Sequence, residues 1–355
     1  MEEIKVIRAK TLKPKPEDES KLVFGRTFTD HMFTMEYSSA KGWHNPTVKP
    51  YAPLELDPAN LTLHYGQALF EGMKAYRDAN GDIRLFRPMD NFARMCQGAE
   101  RLAMQPIDKD MAFAGLKKLL EIEKDWVPHS AGTSLYIRPT LIATDAFLGV
   151  HASDTYLFYI ILCPVAAYYK EGLKPVKIYV EDEYVRAARG GIGFTKAAGN
   201  YAASMLAGTL AEQKGYSQVL WLDAVERKYV EEVGAMNMLF VIDGKVVTPP
   251  LRGSILPGIT RNSVLQLAKA KGLEVEERLV SIDEVHETAK NGRMSEAFGS
   301  GTAAVISPVG HFYWKGEEFA VNGGVMGPIA QDLYNTLTGI QYGRVEDPFG
   351  WSIKL

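Results

Sequence analysis

Hydrophobic and polar positions alternate in short stretches through the first half of the chain, a pattern that predicts strands. The segment MFTMEY alternates from Met32, and SLYIRPTLIA and TYLFYIILCPV are two further strand-like runs. An Asn80-Gly81 pair between KAYR and IRLF predicts a hairpin, because this dipeptide favours the left-handed backbone of tight hairpin turns. The longest apolar run, TYLFYIILCPV, is too short to span a bilayer, and it is therefore expected to be a buried strand.

Apolar residues at helical spacing predict two helices in the same half. Asp90 is expected to cap the first helix, and a second helix is expected from Asp108. The apolar side of the first helix contains Phe92, Met95, Ala99 and Leu102. Residues 22–168 are expected to form the smaller of two domains, preceded by a flexible, solvated arm over residues 1–21.

The second half mixes strands with helices and favours an α+β fold. A charged stretch with Gly and Pro, residues 169–175, is expected to link the domains, and residues 176–355 then form the larger one. Strands are predicted for QVLWLD and on both sides of an Asp243-Gly244 turn. Helices are predicted from Asn200 to Gln213, from Thr260 to Gly272, after the capping box Ser281–Glu284, and at Pro328. We expect a largely antiparallel or mixed sheet or barrel carrying several helices.

Composition narrows the class of protein. The 355 residues are 46% hydrophobic and 23% charged, with a formal net charge of -3. This balance is that of an ordinary globular protein and offers no electrostatic reason to expect nucleic acid or an anionic membrane as partner. Two cysteines, Cys96 and Cys163, lie far apart without metal-ligand spacing, which is typical of the reducing cytoplasm. The acidic N-terminus without an apolar core does not match a secretory signal or transit peptide.

The stretch GGIGFTKAAGNY, residues 190–201, contains an isolated charge. Lys196 is the only charged residue from Gly190 through Ala211. Burial among small and apolar residues lowers the pKa of a lysine and makes the neutral amine available for Schiff-base chemistry. A plain loop with one solvated lysine has the same pattern, and the interpretation therefore depends on residues elsewhere.

Two turns and a pair of carboxylates elsewhere in the chain bear on the role of Lys196. LPGITR places Gly258 and Thr260 at a helix start, where N–H groups suit a phosphate, although Thr260 also fits an ordinary N-cap. GSGTA, residues 299–303, is either a second anion site or a tight turn. Glu231 and Glu232 are neighbours on a predicted strand, and we expect one to be solvated and one to face inward.

Together these residues meet the needs of one kind of cofactor. An aldehyde that carries a phosphate and a pyridine ring requires an amine, an anion site and a carboxylate for the ring nitrogen. All three occur here in one chain. Tyr201, five residues after Lys196, is either a core aromatic or a phenol that binds such a ligand.

The motifs GGIGFTKAAGNY, QVLWLD, EEVGAMN, TPPLRGSILPGITR and FGSGTA resemble those of the branched-chain amino-acid aminotransferases, which are class IV pyridoxal-phosphate enzymes. The resemblance extends from LVFGRTFTDHM to IQYGR near the C-terminus. It implies the D-amino-acid-transaminase-like fold, with a smaller N-terminal domain and a larger C-terminal pseudo-barrel domain. It also implies transfer of the amino group of L-leucine, L-isoleucine or L-valine to 2-oxoglutarate.

The resemblance assigns the cofactor contacts. Lys196 matches the lysine that binds pyridoxal 5′-phosphate covalently and then moves a proton between substrate and cofactor. Glu232 matches the carboxylate that keeps the pyridine nitrogen protonated, and Tyr201 matches the phenol at the ring oxygen. Arg94 matches an arginine that pairs with the phosphate, although its pattern alone fits a solvated helix residue. The remaining phosphate contacts are implied for Ile259, Thr260 and Thr302.

Substrate contacts are implied in the same way. Arg138, a charge within the strand-like SLYIRP, matches the arginine that accepts the distal carboxylate of glutamate, helped by Tyr65. Walls around an aliphatic side chain are implied for Phe24, Tyr65, Phe70, Tyr136 and Tyr168, each of which also fits plain core packing.

Two further features follow from the resemblance. Ala235 stands where the family often has threonine, which leaves the backbone N–H groups of Ala235 and Ala303 to bind the substrate's α-carboxylate. The segment Leu148, Gly149 and Val150 matches a loop that reaches the neighbouring subunit's site, which implies a homodimer.

Other functions fit parts of the sequence. A D-amino-acid transaminase or an aminodeoxychorismate lyase would share the fold, but the aromatic set and Arg138 argue against both. A cofactor- or phosphate-binding protein without turnover would not need both Lys196 and Glu232. We therefore expect a cytoplasmic, metal-free aminotransferase with pyridoxal phosphate as cofactor, and amino acids and 2-oxo acids as its partners.

Overall fold

The computed structural model describes residues 2–166 and 173–355, and Tyr168 and part of the expected linker therefore lie outside the described residues. The chain divides into two compact units. The first contains Met1–Lys170, Thr195–Ala198 and Ile340–Leu355, and the second contains Glu171–Phe194 and Gly199–Gly339.

The strands of the first unit form one mainly antiparallel sheet. The elements of this unit are β1 (Lys5–Val6), β2 (His31–Ser38), β3 (Gly42–Pro50), α1 (Leu61–Tyr65), β4 (Ala68–Phe70), β5 (Met73–Arg77), β6 (Ile83–Phe86), α2 (Pro88–Arg101), α3 (Lys109–Ile122), β7 (Ser134–Ala143), β8 (Thr155–Val165) and β18 (Ser352–Lys354). The strand order in the sheet is β1-β3-β2-β8-β7-β5-β6-β18, with β4 paired to β7. Phe158 of β8 packs against Phe33 of β2 and Phe92 of α2, which attaches this helix to the sheet.

The strand predictions for this unit are confirmed. β7 and β8 coincide with the runs SLYIRPTLIA and TYLFYIILCPV and pair with each other in antiparallel register. Asn80 and Gly81 lie in the turn between β5 and β6, where Gly81 has a φ of +85°. A positive φ is available to glycine at little steric cost, which explains the hairpin.

The two helices begin differently from each other. The second helix, α3, follows Asp108 as predicted, and the carboxylate of Asp108 caps it by accepting two backbone hydrogen bonds of the first turn. The prediction that Asp90 caps α2 is wrong. Pro88 starts that helix, because a proline at this position loses no helical hydrogen bond, and Asp90 instead pairs with Arg87 Nε at 2.7 Å.

The N-terminal arm, expected to be flexible, is attached to the first unit at several points. β1 pairs with β3, and the backbone N–H of Ala9 donates to His31 Nε2 at 2.8 Å. The backbone N–H of Lys13 donates to Asp30 at 2.7 Å, and its ammonium donates to the carbonyl of Thr29 at 2.8 Å. No local pattern signals these contacts, because their partners lie in later parts of the chain.

The second unit contains a closed barrel. The elements of this half are β9 (Val176–Glu181), α4 (Ala198–Ala202), α5 (Met205–Gln213), β10 (Gln218–Leu222), β11 (Val230–Val233), β12 (Met236–Ile242), β13 (Lys245–Thr248), α6 (Ile259–Ala270), β14 (Val275–Glu277), α7 (Ile282–Lys290), β15 (Met294–Gly301), β16 (Val305–Trp314), β17 (Glu317–Ala320) and α8 (Pro328–Gln341). Six strands follow one another around the barrel in the order β9-β10-β11-β12-β15-β16, and β16 pairs with β9 to complete the ring. The expected α+β fold with a pseudo-barrel is confirmed.

Local signals for several of these elements are confirmed. The Asp243-Gly244 turn joins β12 to β13. Ser281 caps α7 and accepts a hydrogen bond from the backbone N–H of Glu284 at 3.0 Å, and Pro328 begins α8. Within the described ranges, no helix is long and apolar enough to cross a membrane.

Two helices of this half differ from the prediction. The helix expected from Asn200 to Gln213 is two helices, α4 and α5, separated near Ser204. The hydroxyl of Ser204 donates to the carbonyl of Tyr201 at 2.7 Å, and such side-chain bonds compete with the helical ladder. α6 begins at Ile259, and its N-cap is Gly258 rather than Thr260.

Residues 195–198 and 340–355, expected in the C-terminal domain, belong to the first unit. Ala197 forms an antiparallel bridge with Leu69, and the backbone N–H of Phe70 donates to the carbonyl of Lys196 at 3.2 Å. At the C-terminus, β18 adds to the sheet by pairing with β6. Backbone pairing, which sequence order does not reveal, therefore decides which unit these segments join.

Candidate active site

Lys196 lies in the first unit beside β4. Its ammonium nitrogen is 4.7 Å from the ring centroid of Phe70, and the guanidinium carbon of Arg138 is 4.6 Å from the same centroid. Burial lowers the pKa of Lys196 to about 8, while Glu71 opposes this shift and Arg94 adds to it. At neutral pH a larger fraction of this amine is therefore uncharged than of a solvated lysine, and the uncharged form is the one that attacks a carbonyl.

Arg94 is a buried, fixed cation. Its Nε donates to Glu71 Oε1 and its Nη2 donates to Glu71 Oε2, both at 2.8 Å, and Asn91 Nδ2 donates to Oε2 at 2.9 Å. Burial by itself would raise the pKa of Glu71, but the charge and hydrogen bonds of Arg94 outweigh it and hold this pKa below its ordinary value. Both charges are therefore present at neutral pH.

Aromatic rings surround Arg138. Its Nη2 donates to the hydroxyl of Tyr136 at 3.2 Å, and the ring of Tyr136 meets Phe24 edge-on with centroids 4.8 Å apart. Arg138 Nε is buried without a hydrogen bond, and no carboxylate of residues 2–166 or 173–355 forms a salt bridge with this arginine. A cation among aromatic faces without a carboxylate partner is suited to bind an acidic ligand.

Tyr65 contacts the loop predicted to reach a neighbouring subunit. Its hydroxyl donates to the carbonyl of Leu148, and within the described part of the chain it makes no hydrogen bond or cation–π contact with Arg138. Leu148 is 62% exposed and Val150 83% exposed, on either side of Gly149. The loop therefore presents apolar side chains to solvent.

In the second unit, Glu232 is a buried carboxylate held by a cation. It is 4% exposed and lies opposite Asn237 on the neighbouring strand. Its Oε2 is 2.9 Å from Arg186 Nε, and its Oε1 accepts a hydrogen bond from the backbone N–H of Leu256 at 2.8 Å. An adjacent arginine and a donated N–H both favour the charged carboxylate.

Glu231 corrects one expectation. The alternation of side chains along a strand predicts that one carboxylate of the pair is solvated, but Glu231 is 8% exposed and therefore buried, as Glu232 is. The segment that contains Ser254 covers this face of β11, and the Ser254 hydroxyl donates to Glu231 Oε1. Burial raises the pKa of Glu231 to about 6, and the hydrogen bond from Ser254 opposes part of the shift.

The N-terminus of α6 forms a cradle of backbone N–H groups. Gly258 provides no side-chain cap for the amides of Ile259 and Thr260, and both of these residues are buried. A Cβ at Gly258 would lie 2.0 Å from Asn237 Oδ1, and any larger residue here would therefore have to displace the Asn237 amide. Uncapped amides at the start of a 12-residue helix suit a phosphate.

The predicted site residues divide between the two units. The first unit contains Phe24, Tyr65, Phe70, Arg94, Tyr136, Arg138 and Lys196. The second contains Tyr201 on α4, Glu232, Ala235 in the β11–β12 turn, Ile259, Thr260, and the half-buried Thr302 and Ala303 between β15 and β16. Within the first unit the structure brings Lys196, Phe70, Arg138 and Tyr136 together. The first unit contains an amine and a buried arginine, and the second contains a carboxylate beside Arg186 and an amide cradle. Each of these groups is of a kind that pyridoxal phosphate requires, and the residues present fit this cofactor.

Glu71, Asn91 and Arg186 are missing from the sequence-based prediction. The available signal for Glu71 is a lone carboxylate among the apolar residues of ALFEGM. Its partner Arg94 is 23 residues away, beyond the range of any local pattern. Arg186, in VRAARG, carries no distinguishing signal.

Comparison with known proteins agrees with this chemistry. The family model for class IV amino-transferases matches residues 68–312. Branched-chain-amino-acid aminotransferase 2 of Bacillus subtilis is 56% identical over 99% of this chain and 97% of its own length. The branched-chain-amino-acid aminotransferase of Mycolicibacterium smegmatis is 48% identical over 94% of this chain and 92% of its own.

Solved structures resemble the whole fold. The branched-chain amino acid aminotransferase from Escherichia coli superposes with a TM-score of 0.72 at 27% identity and covers 91% of this chain and 98% of that one. The T.th. branched-chain amino acid aminotransferase, complexed with N-(5'-phosphopyridoxyl)-L-glutamate, gives a TM-score of 0.74 at 26% identity, over 90% of this chain and 97% of that one. The chain belongs to the class IV aminotransferase family, among its branched-chain-amino-acid aminotransferases.

Proposed function

We propose that the protein transfers the amino group of L-leucine, L-isoleucine or L-valine to 2-oxoglutarate with pyridoxal phosphate as cofactor, yielding a branched 2-oxo acid and L-glutamate. The observation that carries the proposal is Lys196, a lysine with a pKa of about 8 beside Phe70 and Arg138. It unites a reactive amine with an apolar ring and a cation in one cluster. Membership of the family supplies the reaction type.

Lys196 is proposed to perform the covalent and proton-transfer steps. When bound, pyridoxal phosphate supplies a carbonyl that carries the amino group and a ring that accepts electrons. The neutral amine of Lys196 would hold the cofactor at its carbonyl carbon, and once released from it would move a proton between the substrate's Cα and the cofactor. A pKa of about 8 suits both tasks, because both protonation states are populated near neutral pH.

The other cofactor contacts follow from charge and hydrogen-bonding capacity. Glu232, kept charged by Arg186, would hold the proton on the pyridine nitrogen. Tyr201 would donate to the ring oxygen. Arg94, Ile259, Thr260 and Thr302 would bind the phosphate through a fixed guanidinium, an amide cradle and a hydroxyl.

Substrate choice is proposed to rest on one cation among aromatic walls. Phe24, Phe70 and Tyr136 would contact the aliphatic side chain of leucine, isoleucine or valine, while Tyr168, a further proposed wall, lies outside the described residues. Arg138 would bind the distal carboxylate of glutamate or 2-oxoglutarate. The backbone N–H groups of Ala235 and Ala303 would bind the α-carboxylate that all these substrates share.

A substrate panel tests the proposal. With the wild-type protein, L-leucine, L-isoleucine and L-valine are each expected to convert the visible spectrum of the bound cofactor to that of its aminated form, and 2-oxoglutarate is expected to restore it. D-leucine is the control and is expected to leave the spectrum unchanged. A response to D-amino acids alone would contradict the proposal and favour a D-amino-acid transaminase.

Arg138→Ala tests the basis of dual specificity. We expect kcat/KM for glutamate and 2-oxoglutarate to fall about 10²-fold, because charge-assisted hydrogen bonds to the distal carboxylate are lost. The value for leucine should change less than about fivefold. Tyr136→Phe removes only the hydroxyl partner of Arg138 and should give a smaller loss in the same direction. Equal losses for leucine and glutamate would refute this role.

A homodimer in the cytoplasm is proposed as the working state. The exposed apolar side chains of Leu148 and Val150, beside Tyr65, form a surface that a second copy would cover. Cys96 and Cys163 carry free thiols, in keeping with a reducing compartment. Sedimentation velocity at micromolar concentration is expected to show a two-chain particle, and a monomer would contradict the dimer.

A further inference from the structure

Glu71 is a fully buried carboxylate that accepts hydrogen bonds from several residues. It lies between β4 and β5, and its own backbone N–H donates to the carbonyl of Pro139 at 2.8 Å. The carboxylate accepts from Arg94 twice, from Asn91 Nδ2, and from the backbone N–H of Gly72 at 3.1 Å. A side chain at residue 72 would displace Tyr136, because a Cβ on Gly72 would lie 2.1 Å from the hydroxyl of Tyr136.

The bond pattern fixes which edge of Arg94 faces Glu71. A guanidinium has five N–H groups in one plane. Glu71 takes one from Nε and one from Nη2, each at 2.8 Å. The Nη1 edge therefore points away from Glu71, and Asn91, one turn earlier on the same face of α2, keeps the carboxylate from rotating.

Glu71 interacts electrostatically with two cations. Lys196 and Arg94 are close enough to interact, since Arg94 lowers the pKa of Lys196 and Glu71 raises it. The other charged or titratable groups that act on Lys196 are Tyr136 and Arg138. Glu71 is the carboxylate of this set, and its removal takes away a negative charge that acts on both cations.

We propose that Glu71 is a positioning residue for cofactor binding: it commits the Nε–Nη2 edge of Arg94 to the protein and directs the Nη1 edge to the cofactor's phosphate. This inference rests on the proposed function, in which Arg94 binds that phosphate. Glu71 acts through Arg94 and needs no contact with the cofactor. Its negative charge also preserves the protonation balance of Lys196.

The Kd values of two ligands, pyridoxal 5′-phosphate and pyridoxal, distinguish this positioning role from a general structural role. For cofactor-free Glu71→Gln we expect the Kd of pyridoxal 5′-phosphate to rise roughly tenfold, because the charge-assisted bonds that orient Arg94 are lost. The Kd of pyridoxal, which lacks the phosphate, should change less than about threefold. Equal weakening of both ligands, or no weakening of either, would overturn the proposal.

A second readout follows Lys196 in the cofactor-free protein. Acetylation of Lys196 by acetic anhydride, measured by mass spectrometry across pH, is expected to have a lower midpoint in Glu71→Gln than in the wild type, because the carboxylate that raises its pKa is gone. An unchanged midpoint would contradict the electrostatic part of the proposal.

Two further variants keep the test decisive. Glu296→Gln is the matched control: Glu296 is also buried, but it accepts hydrogen bonds from the backbone N–H groups of Ile329 and Ala330 and has no cation partner in the described part of the chain. This variant should leave both Kd values unchanged.

Should Glu71→Gln not fold, Asn91→Ala provides a milder change, because it removes one neutral hydrogen-bond donor to Glu71. The Kd of pyridoxal 5′-phosphate should rise about threefold in this variant, and the Kd of pyridoxal should stay the same. Failure of the proposed function would be evident already in the wild type, as absence of pyridoxal 5′-phosphate binding.

Discussion

Lys196→Ala is expected to abolish the visible absorbance that the protein acquires with pyridoxal phosphate and to lower transamination of leucine at least about 10³-fold. The variant loses both the amine that binds the cofactor and the base that moves the Cα proton. Spectrophotometry and a coupled assay for glutamate measure the two effects. Retained turnover would refute the mechanism.

Lys74 provides the matched control for this variant. It lies on β5, and burial lowers its pKa to about 8, as burial does for Lys196. Lys74→Ala is expected to keep the visible absorbance, because a lowered pKa without the position of Lys196 does not create a cofactor lysine. Loss of absorbance in Lys74→Ala and not in Lys196→Ala would show that the cofactor has been assigned to the wrong lysine.

Comparing the wild type with Lys196→Ala also tests how the free energy of unfolding depends on pH. In the cofactor-free protein the pKa of Lys196 is about 8, below its ordinary 10.5. Between these values the unfolded chain binds more protons than the folded one, so the unfolding free energy of the wild type rises with pH. Lys196→Ala lacks this contribution. Urea unfolding should therefore show the wild type gaining stability relative to the variant from pH 8 to 10.5.

Glu232→Gln is expected to lower kcat about 10²-fold, because the neutral amide no longer holds a proton on the pyridine nitrogen. The shape of the side chain and the hydrogen bond from Leu256 are retained, and the fall in kcat therefore reports the loss of the charge.

The same variant is expected to be less stable, because Arg186 loses its buried ion-pair partner. Urea unfolding should show a free energy of unfolding lower by about 3 kcal/mol.

Glu231→Gln is the neighbouring control. Glu231 is also buried on β11, but its pKa is raised to about 6 and its bond is to Ser254 rather than to a cation. Gln resembles its protonated form, and kcat should change only slightly. If Glu231→Gln reduces kcat as much as Glu232→Gln, the assignment of the pyridine contact to Glu232 is wrong.

The fold was largely predictable where the signals are local. The apolar runs that became β7 and β8, the Asn80-Gly81 hairpin and the Ser281 cap depend on neighbouring residues, and each is confirmed. Two of the predictions are wrong, one because a neighbouring proline takes the helix start and one because a residue distant in the chain covers a strand. Asp90 does not cap α2 because Pro88 starts it, and Glu231 is buried because a distant segment covers its strand.

The residues of the candidate site also divide into those that the local sequence indicates and those that it does not. Lys196 was recognisable as an isolated charge among small residues, and the motifs around it indicate its family. Glu71 and Arg186 were not, because each acquires its role from a partner distant in the chain. The local pattern around Arg94 fits a solvated helix residue, but in the folded chain Arg94 is buried and forms an ion pair with Glu71.

Contiguous residues were sufficient to establish the family, the cofactor chemistry and most strand and hairpin positions, because motif identity and turn preference are local properties of the chain. Folding was needed to place the Lys196 segment in the first unit, through its pairing with β4. Folding also sets the pKa of Lys196 at about 8. Burial and charge pairing depend on which distant residues surround an atom, and only the folded chain specifies them.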